Sequence, residues 1–182
     1  VELKGERLLA ADRATAWAAL NDTELLKNCV PGCETITATG ENQFDIAMLA
    51  AVGPVKAKFK GKLALADIDA PNAYTMKFDA SGGPTGFARG EARVTLTEVS
   101  AQQTRLVYVA NAQVGGKLAQ VGSRLIDAAA GATADKFFEA FGAQLAARAQ
   151  PASAEAVAPA APARIGFWSL LLAFFRRLFG RG

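Results

Sequence analysis

No histidine occurs anywhere in the 182 residues. That removes the commonest general base near neutral pH, the Ser-His and Cys-His nucleophile pairs, and the commonest transition-metal ligand together. Cysteine is nearly as scarce. Cys29 and Cys33 are the only two, so the sequence implies no disulfide framework, and two thiols four apart make half of a zinc site at best. Both are expected to be reduced and structural. The beginning, "VELKGERLL", lacks the apolar stretch of a secretory signal, which places the body in the cytoplasm by expectation. The one long apolar run, Ile165 to Phe179, would span only ~22 Å as a helix against a hydrocarbon core of ~30 Å. It is too short to cross comfortably.

Apolar residues make up 51% and charged residues 20%, which excludes disorder for most of the chain and leaves room for one domain with a genuine core plus a tail. A basic chain suggests nucleic acid, but the charge is unevenly placed. Residues 1–163 hold 16 Lys and Arg against 17 Asp and Glu, while residues 164–182 carry Arg164, Arg176, Arg177 and Arg181 with no acid. The domain itself has no basic excess, so nucleic acid is not an expected partner.

"QPASAEAVAPAAPA", residues 150–163, is a linker by composition and reaches ~40 Å if extended. It separates a domain over 1–149 from a tail over 164–182. In the domain, "LKGERLLA" alternates as a strand, with Leu3, Gly5, Arg7 and Leu9 on one side. Two short helices follow: "DRATAWAALND", capped by Asp12, and "TELLKNC", capped by Thr23 and stopped before Pro31-Gly32. From about Thr35 to Gln113, five alternating segments separated by turn signals predict, with the first strand, about six or seven antiparallel strands. The region 115–149 then reads as one long helix. Its echo, "VGGKLAQ" and "VGSRLID", puts Gly115 and Gly122 on one helix face, either for close approach to the sheet or to leave space for a ligand. The antiparallel sheet needs a cover for its apolar face, and only this helix is long enough. The fold class is α+β, a sheet closed over a long C-terminal helix.

Alternation turns Met48, Phe59, Leu63, Phe78 and Tyr108 inward, toward Leu118, Val121 and Leu125 of the helix. Taken alone, this pattern describes an ordinary packed core. Lys56, Lys58, Lys60 and Lys62 share the other face, as a solvated surface or as a site for lipid headgroups or a partner protein. Asp67 and Asp69 adjoin a turn and are expected in solvent, and Glu91 and Arg93 alternate on one face as a surface pair would. "GGPTG" at 82–86 lacks the Lys-Ser/Thr ending of a phosphate loop and suits a hairpin turn or a mobile lid.

"NCVPGC", "VGPVKAKFKGKLALADID", "SGGPTGFARGEARVTL" and "AQVGGKLAQVGSRLID" together resemble the CoxG family, the G-type subunits of carbon monoxide dehydrogenase, within the helix-grip superfamily that includes START and Bet v 1-like proteins. The resemblance covers about residues 2–148. It implies an apolar cavity between sheet and helix, lined by Met48, Phe59, Leu63, Phe78, Tyr108, Leu118, Val121, Gly122 and Leu125, with no catalytic residues and no metal. It further implies a non-catalytic membrane adaptor that brings a molybdenum hydroxylase of the carbon monoxide dehydrogenase type to the cytoplasmic membrane. Respiratory quinone would be a bound ligand of that cavity rather than a covalent cofactor. The alternatives are a tether without ligand, or a cyclase or hydrolase in which Tyr108, Glu91 or Asp79 would project together into a deep pocket.

The tail fits the membrane expectation on its own chemistry. As a helix, Gly166, Ser169, Ala173, Arg176 and Gly180 form a narrow stripe. Ile165, Phe167, Trp168, Leu170, Leu171, Leu172, Phe174, Phe175, Leu178 and Phe179 fill the remaining arc, which suits an anchor lying in one leaflet. Arg164, Arg176 and Arg177 are positioned to meet anionic headgroups of the cytoplasmic face.

Overall fold

The computed structural model describes residues 1–149; the linker 150–163 and the tail 164–182 lie outside the described residues. The order of elements is β1 (Glu2–Leu9), α1 (Arg13–Leu20), α2 (Thr23–Cys29), β2 (Cys33–Gly40), β3 (Gln43–Val52), β4 (Val55–Asp69), β5 (Ala73–Ser81), a 3-10 turn (Gly83–Thr85), β6 (Phe87–Ser100), β7 (Gln103–Gly115), α3 (Lys117–Gln120) and α4 (Ser123–Ala149). All seven strands form one antiparallel sheet in the order β1-β7-β6-β5-β4-β3-β2. The two helices after β1 carry the chain from one edge of this sheet to the other. Five consecutive hairpins then return it to β1.

Local chemistry explains most boundaries. Asp12 caps α1 by accepting the Thr15 N–H, and the same carboxylate accepts the Thr15 hydroxyl, which holds its pKa below the ordinary value. The second helix is capped one residue earlier than its sequence suggested. Asp22 accepts the Leu25 N–H at 3.2 Å and Thr23 is the first helical residue, because the aspartate in extended conformation presents the better acceptor. The expected single helix over 115–149 is broken. Gly115 ends β7, and Gly122 adopts φ +96° between α3 and α4, a conformation that interrupts a right-handed helix. The two glycines therefore share no helix face.

The turns of a meander alternate between the two ends of its sheet. The β2–β3, β4–β5 and β6–β7 turns lie at one end, together with the β1–α1 junction. The β3–β4 turn, the 3-10 turn and the β7–α3 junction lie at the other. At the first end the core is closed. Leu9, Leu20, Leu96 and Leu106 pack there with Phe141 and Leu145 of α4, and the buried Thr104 hydroxyl donates to the Ala11 carbonyl at 2.8 Å. Trp17 of α1 meets the buried Tyr74 edge-on at 5.5 Å, and burial pushes the Tyr74 pKa up to about 12.

Candidate functional site: the open end of the sheet

Strand registers define the inner face. Met48 pairs with Phe59, Phe44 with Leu63 and Leu63 with Phe78, so these side chains form a continuous apolar row across β3, β4 and β5. Met76 opposite Leu65 and Ile46 opposite Gly61 extend it. The row is not filled in like the closed end. Phe59 is buried, with its ring against Gly82, but Met48, Leu63 and Phe78 are only half-buried although they face inward. Space beside them reaches solvent.

Helices α3 and α4 run over this open half. Leu118 is buried, Val121 is half-buried and Gly122 is exposed. Leu125 lies against Gly53 of the β3–β4 turn yet keeps 42% of its surface exposed. The contrast within α4 is sharp, since Phe141 and Leu145 in its later half are 0% exposed. Gly86 and Gly116 bring the start of β6 against the start of α3 so closely that a Cβ on either would collide with backbone. The open end thus has three tips, the β3–β4 turn, the 3-10 turn and the α3–α4 junction, beside an inner apolar face that stays half-exposed.

Tyr108 shares the inner face but sits elsewhere. Its ring stacks on Phe138 at 5.3 Å, placing it at the border of the closed core. Beside it lies a pair that sequence patterning did not single out. Arg7 of β1 points inward, donates to Asp135 of α4 at 2.6 Å, and holds its guanidinium carbon 5.2 Å from the Phe138 ring centroid. The alternation of Leu3, Gly5, Arg7 and Leu9 carried the signal for Arg7. Nothing local in the sequence marked Asp135 as its partner.

The polar candidates are dispersed. Asp79 and Glu91 lie on the outer face, opposite to Tyr108, so the three do not converge in one pocket. Asp79 and Glu91 instead line an open depression of about 770 Å³ with Lys77, Arg89, Asn111 and Gln113. Asp67 and Asp69 are exposed at the closed end, and Arg93 donates to the Thr75 hydroxyl and the Asp67 carbonyl. Among the described residues, no group of three or more Cys, Asp or Glu side chains is arranged to hold a metal. Cys29 is buried and Cys33 half-buried, both unpaired by a disulfide, and burial raises both thiol pKa values. Lys56, Lys58, Lys60 and Lys62 are all exposed on the outer face of β4, with Lys58 paired to Glu34 at 2.8 Å.

No curated protein matches the sequence. Among solved structures, a conserved protein from Geobacillus kaustophilus is 28% identical, with a TM-score of 0.76 over 80% of this chain and 95% of its own. A START superfamily protein from Mycobacterium smegmatis matches at 12% identity and TM-score 0.62, covering 79% of this chain and 96% of its own. The Zhui aromatase/cyclase from Streptomyces sp. R1128 matches at 13% identity and TM-score 0.63, covering 84% and 97%. The last two establish a START-like, helix-grip fold and nothing finer. The family model for CoxG, the G-type subunit of carbon monoxide dehydrogenase, matches residues 5–146, from within β1 to within α4, and the chain belongs to the CoxG family.

Proposed function

We propose that this protein is a non-catalytic adaptor that binds an apolar ligand in the open-end cleft and holds a molybdenum hydroxylase of the carbon monoxide dehydrogenase type at the cytoplasmic membrane. One observation carries the ligand reading. An inward apolar row, Met48, Leu63 and Phe78, stays half-exposed beneath a helix whose own apolar residue Leu125 is 42% exposed. Residues of this kind on an inner face are ordinarily closed over, as they are at the other end. A ligand with an extended apolar body would cover both surfaces. Membership of the CoxG family and the START-like fold favour a ligand-binding role, and the family's name implies association with carbon monoxide dehydrogenase.

Respiratory quinone fits the proposed cleft in chemistry, being an apolar chain with a compact polar ring. The tail 164–182 supplies the membrane attachment in this reading, with its ten large apolar residues and flanking arginines. The linker then lets the domain reach from lipid to enzyme at high effective concentration. Purified residues 1–150, incubated with quinone-containing vesicles, reisolated and extracted for mass spectrometry, are expected to carry about one quinone per chain. An empty extract, with the full chain still sedimenting with vesicles, would reduce the function to tethering. Turnover of an extracted ligand by the protein alone would favour the cyclase alternative.

A further inference from the structure

Charge is sorted along the sheet's long axis. The three turns at the closed end, residues 41–42, 67–72 and 98–103, contain Glu41, Asp67, Asp69 and Glu98 and no Lys or Arg of their own, while Arg13 and Arg93 reach the second of them from neighbouring elements, donating to the Asn72 side chain and the Asp67 carbonyl. The three tips at the open end, residues 52–55, 82–86 and 118–123, contain no charged residue at all. Set one or a few residues behind these tips are six cations, Lys56, Lys58, Lys60, Arg89, Lys117 and Arg124, against three acids: Glu34, which pairs with Lys58, Asp79, which lies opposite Arg89 across the strands, and Asp127. The tips carry Pro54 and Pro84, both exposed, and just beyond them Leu49 and Leu125 expose 56% and 42%.

An uncharged rim backed by a belt of cations, at the pole opposite the acids, has the layering of an anionic bilayer surface. Apolar tips suit the headgroup and acyl boundary, and ammonium and guanidinium groups suit the phosphates above it. An acidic protein would match the cations but would give the exposed leucines and uncharged tips no distinct role. We infer that the folded domain itself docks on anionic lipid through its open end, with the β3–β4 turn, the 3-10 turn and the α3–α4 junction against the membrane. The acidic pole then points away from the surface and is repelled by it, which fixes the orientation. This rests on the membrane reading of the function only in taking lipid as the surface, and it does not require the tail. In this orientation the cleft faces the source of an apolar ligand.

The test uses the full chain bearing Cys33→Ser, since Cys29 is buried, with an environment-sensitive fluorophore on Pro54→Cys or, as a control, on Asp69→Cys. Each is mixed with phosphatidylglycerol vesicles or with phosphatidylcholine vesicles. The label at 54 is expected to become apolar and shielded on phosphatidylglycerol only, while the label at 69 stays aqueous on both. Combining Lys56→Glu, Lys60→Glu and Arg124→Glu is expected to lower the docking equilibrium on the order of a hundredfold, from roughly a fivefold loss per cation. Sedimentation with both vesicle types while the label at 54 stays aqueous would overturn the inference and leave the tail anchor standing. Failure to sediment with either would overturn both. Shielding on phosphatidylcholine as well, undiminished in the charge-reversed chain, would overturn the role of the cations. Shielding by a purified acidic hydroxylase but by neither vesicle would overturn lipid in favour of a protein surface.

Discussion

The two halves of α4 lie on one sheet face and meet different surroundings. The later half drives Phe137, Phe138, Phe141 and Leu145 into a core with Leu9, Leu96 and Leu106, and an ion pair from Asp135 to Arg7 marks its limit. The earlier half, Ser123 to about Thr133, presents Leu125 and Ile126 over strands whose inner side chains remain half-exposed. Both halves cover apolar strands, so amphipathic pattern does not separate them. What separates them is what stands opposite: the first two helices, the end of β6 and the start of β7 fill the closed end, and glycine-built tips surround the open one. One end is filled and supplies stability, and the other leaves apolar side chains half-exposed.

That division is broken most severely by truncating the closed half. Phe141→Ala removes a fully buried ring and is expected to cost about 3–5 kcal/mol in urea unfolding. Leu125→Ala should cost less than about 1 kcal/mol, because much of that side chain is already in water. Equal losses would mean that the two halves are packed alike.

Tyr74 tests the closed end through pH. Its pKa rises from 10.0 to about 12 because burial disfavours the phenolate. Between those values the unfolded chain gives up a proton that the folded chain keeps, so stability falls as pH rises through that window, by on the order of 3 kcal/mol in full. Tyr74→Phe should flatten this part of the stability profile, measured by denaturant melts between pH 9 and 12. An unchanged slope would place the phenol in solvent.

Thr104→Val leaves the Ala11 carbonyl without its buried donor and should cost roughly 1–3 kcal/mol, tightening the claim that the β1–α1 junction is locked to β7. Asp12→Ala removes the cap on α1 and should cost about 1 kcal/mol. The Asp12 contribution is present above the ordinary carboxylate pKa and is lost as pH falls through its lowered folded value. A two-point comparison of wild type and variant at neutral and strongly acidic pH checks it.

Much of this was legible in the sequence. Period-two alternation assigned the faces of β3, β4 and β5 correctly, because a sheet with one buried face must alternate. The hairpin order followed from short connections. Three things were not legible. The break at Gly122 was hidden because Leu118, Val121 and Leu125 keep helical spacing across it, and only the backbone angle reveals the interruption. Tyr108 was grouped with the cleft because alternation tells which side a residue faces and not how far along the strand its helix partner lies. Whether the inner face was filled also lay beyond pattern, since half-buried and buried leucines look alike in a string of letters. The charge polarity was present in the sequence throughout, but the acids at 41, 67, 69 and 98 fall together only once a meander sends alternate turns to the same end. Among the described residues, no helix is long and apolar enough to cross a membrane.

The most direct measurement is amide hydrogen exchange on the protein with and without a short-chain quinone. Slower exchange is expected over residues 117–133 and the β3–β4 turn, with no change over residues 137–148, which are protected already. Uniform protection across α4, or none in its first half, would contradict the division between a filled end and a binding end.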